Sequence, residues 1–420
     1  MATFLTVVMI VLLMIGIPVP FALMLTGIGA VLAFGSTSLT TAAQAQFANL
    51  DSFVLLAIPF FILAANVMVR GKLAEYLFDV MYALARPVAG GAAVGGAVAS
   101  ALFSAMSGSS VASAAALGRV TIPQLDRLGY PRVFSTGLMA AGGALGNLIP
   151  PSIVFVVYAA MAQVSVADLF IAGTMPGIML AGMLALISWY YARKNGWNPP
   201  EPFSASLLWS SFVRSSPALL MIVIILGGIY SGWFTPTEAA AISAVYGIAV
   251  GLFVYRTLTL RDLPSIFVQS AKITGSMLFI LATSVFIGML ATMAGIPEAI
   301  FEQVRSYNLN AWQFLLLVNV ILLVLGTALD GLTILVVLTP ILLPSVKALG
   351  IDLVHFAVIL TLNIEIAGIT PPVGMNLFVI SAVSNTPLDV VFRGSVLFTA
   401  VMIIGLIIIT YVPQLSLFAL

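Results

Sequence analysis

The sequence predicts an all-α polytopic membrane protein made of two inverted-topology repeats with re-entrant hairpins and broken helices. Three observations carry that reading: an apolar composition, a register of landmarks that recurs once, and a matched pair of Pro-Pro interruptions inside apolar spans. Of 420 residues, 62% are hydrophobic and 7% charged, against about 25% charged in a soluble domain whose surface faces water. Most of this surface must face hydrocarbon. A crossing helix needs roughly 20 mostly apolar residues, so the chain has room for about ten to twelve full or partial crossings.

The same composition excludes several function classes. Net charge is +1 and no Lys/Arg run occurs, so nucleic acid is not an expected partner. With no cysteine there is no disulfide, thiolate zinc site or thiol nucleophile. The one histidine, His355, cannot build a histidine-rich metal site. Residues 1–35 lack a basic start and stay apolar past Pro18 and Pro20, which reads as a retained span rather than a signal peptide.

An internal repeat organises the chain. Pro123, Gly129, Pro150 and Asp168 have counterparts at Pro344, Gly350, Pro371 and Asp389, each 221 positions later (344−123, 350−129, 371−150, 389−168). The polar stretch near residue 200 therefore separates a first repeat (1–193), a linker (194–206) and a second repeat (207–420).

In order, the first repeat reads as spans near 4–34 and 52–69 and an amphipathic arm at 71–85, with Leu73, Leu77, Val80 and Leu84 on one face. A small-residue hairpin (88–122), a broken helix (132–163) and a span near 168–192 follow. The second repeat gives spans 217–255 and 273–294, an arm at 297–306, a hairpin (311–345), a broken helix (353–386) and a span at 388–412. Ser165 to Asp168, Thr235 to Glu238 and Thr386 to Asp389 fit capping boxes, the last with Pro387 at the first helical position. Gly90, Gly91, Gly95 and Gly96 suit close helix packing.

Charge placement suggests orientation. Arg86, Arg119, Arg127 and Arg132 flank the first hairpin, whereas Glu298, Glu302 and Asp352 outnumber Arg305 and Lys347 around the second. By the positive-inside tendency the first hairpin faces the cytoplasm, and the second faces the periplasm, as an inverted repeat requires.

The broken helices carry the strongest chemical signal. Pro150-Pro151 and Pro371-Pro372 remove backbone donors inside apolar spans. Carbonyls freed at that depth need a partner, and a cation is one; half-helix N-termini suit an anionic solute. The hairpin tips, Ser104 to Ser110 and Gly326 to Gly331, each lie about 15 residues from their hairpin's ends, which fits re-entrance rather than two full crossings. Their hydroxyls and carbonyls are hard ligands suited to alkali ions. Asp330 is an isolated deep carboxylate and hence an ion- or substrate-binding candidate. Glu365, just before the second break, could bind or could pair structurally with a backbone donor or His355. His355 itself reads as interfacial. From geometry, Ser109, Asn147 and Asn376 are the expected substrate contacts.

At these motifs, Ser-Gly-Ser-Ser, Asn-Leu-Ile-Pro-Pro-Ser, Leu-Asp-Gly and Gly-Ile-Thr-Pro-Pro-Val-Gly in order, the chain resembles the large membrane (M) subunit of tripartite ATP-independent periplasmic (TRAP) transporters. The resemblance spans essentially the whole chain. It implies no enzyme but a multi-pass protein of the bacterial inner membrane, importing an acidic solute (a C4-dicarboxylate, sialic acid or another sugar acid) by a sodium-coupled elevator mechanism. It implies two partners as separate polypeptides, a small four-helix membrane subunit and a periplasmic substrate-binding protein. The resemblance implies two or more Na⁺ ions at the family's sites: one at Ser104, Ser107, Gly146, Ile149 and Pro151, another near Gly326, Asp330, Gly368 and Thr370. Competing readings are a stand-alone sodium/anion symporter of similar architecture, an intramembrane protease using Ser109 with His355, and a channel, for which filter rings are absent.

Overall fold

The computed structural model describes residues 1–35, 37–327 and 329–420 and their side chains apart from that of Asn49; Ala328, part of the second hairpin tip, lies outside the described residues. The first repeat begins with α1 (Ala2–Met14), α2 (Val19–Phe34), α3 (Leu39–Leu50) and α4 (Ala57–Arg70). The span expected over 4–34 is therefore two helices. Pro18 is extended (φ −56, ψ 139) and Pro20 sits in the first turn of α2, where a missing N–H costs nothing. The arm α5 (Leu73–Ala85), the hairpin α6 (Gly91–Ser107) and α7 (Ser110–Arg127), the broken helix α8 (Arg132–Gly143) and α9 (Ile153–Ala162), and α10 (Val166–Asn195) complete it.

The second repeat opens with α11 (Ala205–Ile222), which runs on through a π turn into α12 (Gly228–Tyr230), followed by α13 (Pro236–Ala249). Here too a single expected span, 217–255, is corrected to two. Gly232 turns the chain at φ +74, and Thr235 with Glu238 forms the expected capping box for α13. The turn escaped the sequence reading because it is itself apolar, Gly232-Trp233-Phe234. Then come α14 (Leu263–Met293), the arm α15 (Ile296–Ser306), the hairpin α16 (Ala311–Gly326) and α17 (Gly331–Ala348), the broken helix α18 (Leu353–Ala367) and α19 (Met375–Ser384), α20 (Leu388–Tyr411) and α21 (Gln414–Leu417).

The extra helix bears on the relation between the hairpins. The broken helix α8–α9, then α10, α11–α12, α13 and α14 lie between them, and the last four are each long and apolar enough to span. If each of the five crosses, the number is odd and the hairpins would enter from opposite faces. The repeat register holds in three dimensions: α7 and α17 start 221 apart (331−110) and end 221 apart (348−127), as do the starts of α8 and α18 (353−132). Past the breaks the offset becomes 222 (375−153), so the second break holds one more residue.

That shift corrects one cap. Ser165 accepts from the Asp168 N–H at 3.2 Å, but α20 begins after an extended Pro387 with no side-chain cap. The Thr386 hydroxyl instead accepts from Arg132 Nε at 2.9 Å. Arg132 also pairs with Asp126 and donates to the Ser384 carbonyl, tying the first hairpin's exit to the end of α19.

Packing crosses between repeats throughout. α4 lies on α13 and α2 on α14; α7 packs on α19, α9 on α17 and α8 on α20. The α8–α20 contact is close because a Cβ at Gly137 would come within 2.1 Å of the Gly394 carbonyl. Gly95 likewise brings α6 onto the arm backbone at Tyr82, and Gly90 adopts φ +75, so these glycines serve packing and turning. The linker is pinned rather than free: Asn198 Oδ1 accepts from the Ala92 N–H at 2.9 Å, and Glu201 pairs with Arg86.

The chain has no cysteine, so single cysteines at Arg127 and Ala348, the exposed last residues of α7 and α17, test the odd crossing number. A membrane-impermeant thiol reagent should modify one in intact cells and the other only after permeabilisation. Labelling of both from the same side would mean that the repeats run parallel.

Candidate functional site

The site begins with backbone groups that cannot bond to their own helix. In an uninterrupted helix the carbonyls of Gly146 and Asn147 would accept from residues 150 and 151, but both are prolines. Pro371 and Pro372 do the same to Ala367 and Gly368. The Ala367 carbonyl is recovered by the Thr370 N–H at 3.0 Å and that of Gly368 by the Asn376 N–H at 3.0 Å. Both Pro-Pro peptide bonds are cis.

Each hairpin tip sits against a break. Gly108 turns the first tip at φ +60, and its carbonyl accepts from the Ile153 N–H at 3.3 Å. A Cβ on Gly108 would lie 2.8 Å from the Pro151 carbonyl, and one on Gly146 would lie 2.6 Å from the Ser109 backbone. Ser104 and Ser107 are fully buried on the last turns of α6. The structure thus brings Ser104, Ser107, Gly146 and Pro151 to one place. The Ile149 side chain packs on Gly177 of α10, leaving its carbonyl as its available oxygen.

The second tip lies on the C-terminal end of α18, where Gly326 abuts Ala367 and Gly331 abuts Ile364. Asp330 is the repeat equivalent of Ser109 (330−109 = 221), and both are N-caps. Ser109 accepts from the Ala112 N–H at 3.4 Å; Asp330 accepts from the Thr333 N–H at 3.1 Å and the Thr333 hydroxyl at 2.5 Å. The Thr370 hydroxyl is turned to its own helix, donating to the Ile366 carbonyl at 2.6 Å.

Between tips and breaks lies a cavity of about 140 Å³. Its walls include Ser110 and Val111, Gly331 and Leu332, Ile153 and Val154, and Met375 and Asn376. These are the first two residues of α7, α17, α9 and α19. Four half-helix N-termini therefore converge on one space, each carrying about half a positive charge. Gly326 and Ala367, at the C-terminal ends of α16 and α18, line it too, and no Lys, Arg or His does among the described residues. Such a space attracts an anion through backbone N–H groups, while carbonyl ends beside it suit hard cations.

Ser109, Asn147, Asn376, Gly326, Asp330 and Gly368 all line this cavity; Ser104, Ser107 and Thr370 stand outside it. Glu365 lines it as well. Its Oε1 accepts from Asn147 Nδ2 at 2.5 Å, a bond between the two breaks, and Asn147 Nδ2 also reaches Ser110 Oγ at 3.1 Å. It does not pair with His355. That histidine is 3% exposed, with Nε2 at 3.4 Å from the Thr410 carbonyl, so it makes no dyad with Ser109. Sequence reasoning missed Ser113, whose hydroxyl is 2.8 Å from Ser107 Oγ and 3.5 Å from Ser104 Oγ. Its helical spacing after Ser109 was the available signal.

Residues 6–415 match the family described as "Tripartite ATP-independent periplasmic transporter, DctM component". The chain is 41% identical to the C4-dicarboxylate TRAP transporter large permease protein DctM of Pseudomonas aeruginosa, over 94% of this chain and 92% of that protein. It is 35% identical to the sialic acid TRAP transporter large permease protein SiaM of Vibrio cholerae, over 97% and 95%. Among solved structures it superposes on the Alcanivorax borkumensis YdaH transporter with a TM-score of 0.64 at 13% identity, covering 90% of this chain and 89% of that one, a likeness of fold.

The Asn147–Glu365 bond makes a stability prediction. Asn147→Ala strands a buried carboxylate oxygen and should cost about 1–3 kcal/mol. Asn147→Asp, which replaces the amide donor with a second carboxyl group, should cost more. Thermal unfolding of the detergent-purified variants ranks them; equal stability of all three forms would show the bond to be idle.

Proposed function

The chain belongs to the DctM component family of tripartite ATP-independent periplasmic transporters, and we propose that it is a sodium-coupled large permease importing a small acidic solute by an elevator motion. It is not an enzyme but a multi-pass inner-membrane protein. The observation that carries the proposal is the convergence of four half-helix N-termini on a cavity without a basic side chain. An acidic solute there gains backbone N–H partners, and its remaining charge calls for mobile cations.

Sodium fits the oxygens available. Ser104, Ser107 and the carbonyls of Gly146, Ile149 and Pro151 would hold one ion at the first tip and break. Gly326, Asp330, Gly368 and Thr370 would hold a second, with Asp330 supplying the charged oxygen. Neutral and carboxylate oxygens without thiolate or imidazole favour alkali over transition ions. Ser109, Asn147 and Asn376 would contact the solute.

In the elevator reading the hairpins and broken helices move as one block against a scaffold of α1–α4 and α11–α14 with arms α5 and α15. The cation-rich rim of the first hairpin, Arg86, Arg119, Arg127 and Arg132, supports a cytoplasmic side for it. A small four-helix membrane subunit and a periplasmic binding protein would complete the system. Relatives named for C4-dicarboxylate and for sialic acid frame the solute class.

Proteoliposomes holding the chain with both partners should take up solute under an inward Na⁺ gradient without ATP. Uptake under a proton gradient alone, or by the chain without its partners, would contradict the proposal; the latter result would favour a stand-alone symporter.

Asp330→Asn keeps an N-cap for α17 but removes the charge. It should raise the sodium concentration for half-maximal uptake by roughly tenfold, equivalent to about 1.4 kcal/mol. An unchanged sodium dependence would reduce Asp330 to its capping role.

A further inference from the structure

The first hairpin tip gathers three serine hydroxyls, and only two of them have a role in the proposed cycle. Ser104 and Ser107 lie one turn apart at the end of α6, and Ser113 follows in the opening turns of α7. Gly108, at φ +60, folds the chain back so that Ser113 meets both. Its Oγ is 2.8 Å from Ser107 Oγ and 3.5 Å from Ser104 Oγ. All three residues are fully buried, at 0% exposure. Ser113 is also held in place by its backbone. Its N–H donates to the Ser109 carbonyl at 3.0 Å, and the next residue, Ala114, lies so close to α8 that a Cβ on Gly143 would come within 2.5 Å of it.

A hydroxyl that ligates a cation is constrained in a way that a carbonyl is not. It gives the ion a lone pair, and its one hydrogen must then point elsewhere. In a buried site that hydrogen needs an acceptor, because a bare donor is costly. Ser107 has the Ser113 hydroxyl at 2.8 Å and, much less well placed, the Ser109 carbonyl at 3.5 Å. Among the hydrogen bonds of the described residues, Ser104 Oγ donates to Ser113 alone. The Ser113 oxygen has two lone pairs and can take both hydrogens.

We propose that Ser113 is a positioning residue of the first sodium site, accepting the hydroxyl hydrogens of Ser104 and Ser107 so that their lone pairs face the ion. The inference rests on the reading of those two serines as sodium ligands and adds the group that orients them. Ser113 acts through them and need not touch the ion. Without sodium the Ser107–Ser113 bond can run in either direction; with sodium bound, Ser113 must accept. Its loss therefore weakens the loaded form more than the empty one.

The test is thermal unfolding of the full chain in detergent across a sodium series, with choline chloride holding the ionic strength constant. Sodium should raise the unfolding temperature of the unaltered protein in a saturable way. Ser113→Ala should raise the sodium concentration for half of that rise by roughly tenfold, the worth of one hydrogen bond to a group polarised by charge. Ser113→Thr keeps a hydroxyl and should stay within about threefold of the unaltered protein. Ser107→Ala removes a hydroxyl that Ser113 orients, so adding Ser113→Ala to it should cost less than Ser113→Ala costs alone. A merely structural Ser113 would lower the unfolding temperature equally with and without sodium and leave the midpoint in place, which overturns the proposal. Full additivity with Ser107→Ala also overturns it. If Ser113→Ala does not fold, Ser113→Cys, a weaker acceptor of similar size, takes its place with the same expectation. Sodium stabilisation with an unmoved midpoint sinks the role of Ser113 and spares the sodium reading; no sodium stabilisation of the unaltered protein sinks both.

Discussion

A helix interrupted in the middle of a membrane has ends that neither water nor its own backbone can satisfy, and the architecture here follows from that constraint. In hydrocarbon each unpaired backbone group is costly. The protein contains four such interruptions, two Pro-Pro breaks and two hairpin tips, and gathers them in one place. Gly108 lets the first tip touch the Pro151 carbonyl, and Gly331 lets the second reach Ile364. Side chains larger than hydrogen at these contacts would hold the ends apart and leave them bare. The cross-repeat packing of α7 on α19 and α9 on α17 follows from the same need, because each tip must lie beside the breaks to be served by them.

Duplication built the frame, and divergence supplied the chemistry. Equivalent positions share backbone roles but not charges: Ser109 and Asp330 both cap a half-helix, yet only one is ionisable. Asn147 in the first break corresponds to Gly368 in the second (368−147 = 221), and Ala144 corresponds to Glu365 (365−144 = 221). Both carboxylates of the cavity thus belong to the second repeat, while the first offers hydroxyls and carbonyls. One bond, Asn147 to Glu365, joins the two inventories. A symmetric site would hold two equivalent ions; this one distinguishes its halves.

Much of this was legible in the sequence, for identifiable reasons. Pro-Pro pairs inside apolar runs and a repeated register survive in one dimension because they are backbone statements, and they gave the breaks and arms to within two residues and the hairpins to within five. The turns at Ile15–Pro18 and Ser231–Thr235 did not survive, since apolar residues fill both and hydropathy runs through them. Losing the second merged two candidate spans into one and hid a helix that lies between the hairpins. The burial of His355 was hidden because its position three residues after Asp352 places it at a helix start, where sequence alone does not show which element covers it. The partner of Glu365 was illegible in principle: Asn147 is 218 residues away, and only the folded cross-repeat contact brings it near.

The arrangement also bears on why solute and cations should travel together in the proposed cycle. The N-terminal ends that favour an anion and the C-terminal ends that favour cations belong to the same four interruptions, so occupying one set changes the field felt at the other. A site holding an acidic solute alone would carry uncompensated negative charge beside Asp330 and Glu365, and moving it through a low-dielectric region would be opposed. A site holding cations alone would leave helix N-termini unpartnered. In that cycle each ligand would raise the affinity for the other, and such coupling is reciprocal by thermodynamic necessity. No dedicated linkage between distant sites would be required, because the broken backbone places both signs of partial charge around one cavity, and the fully loaded block would be the electrically quiet one.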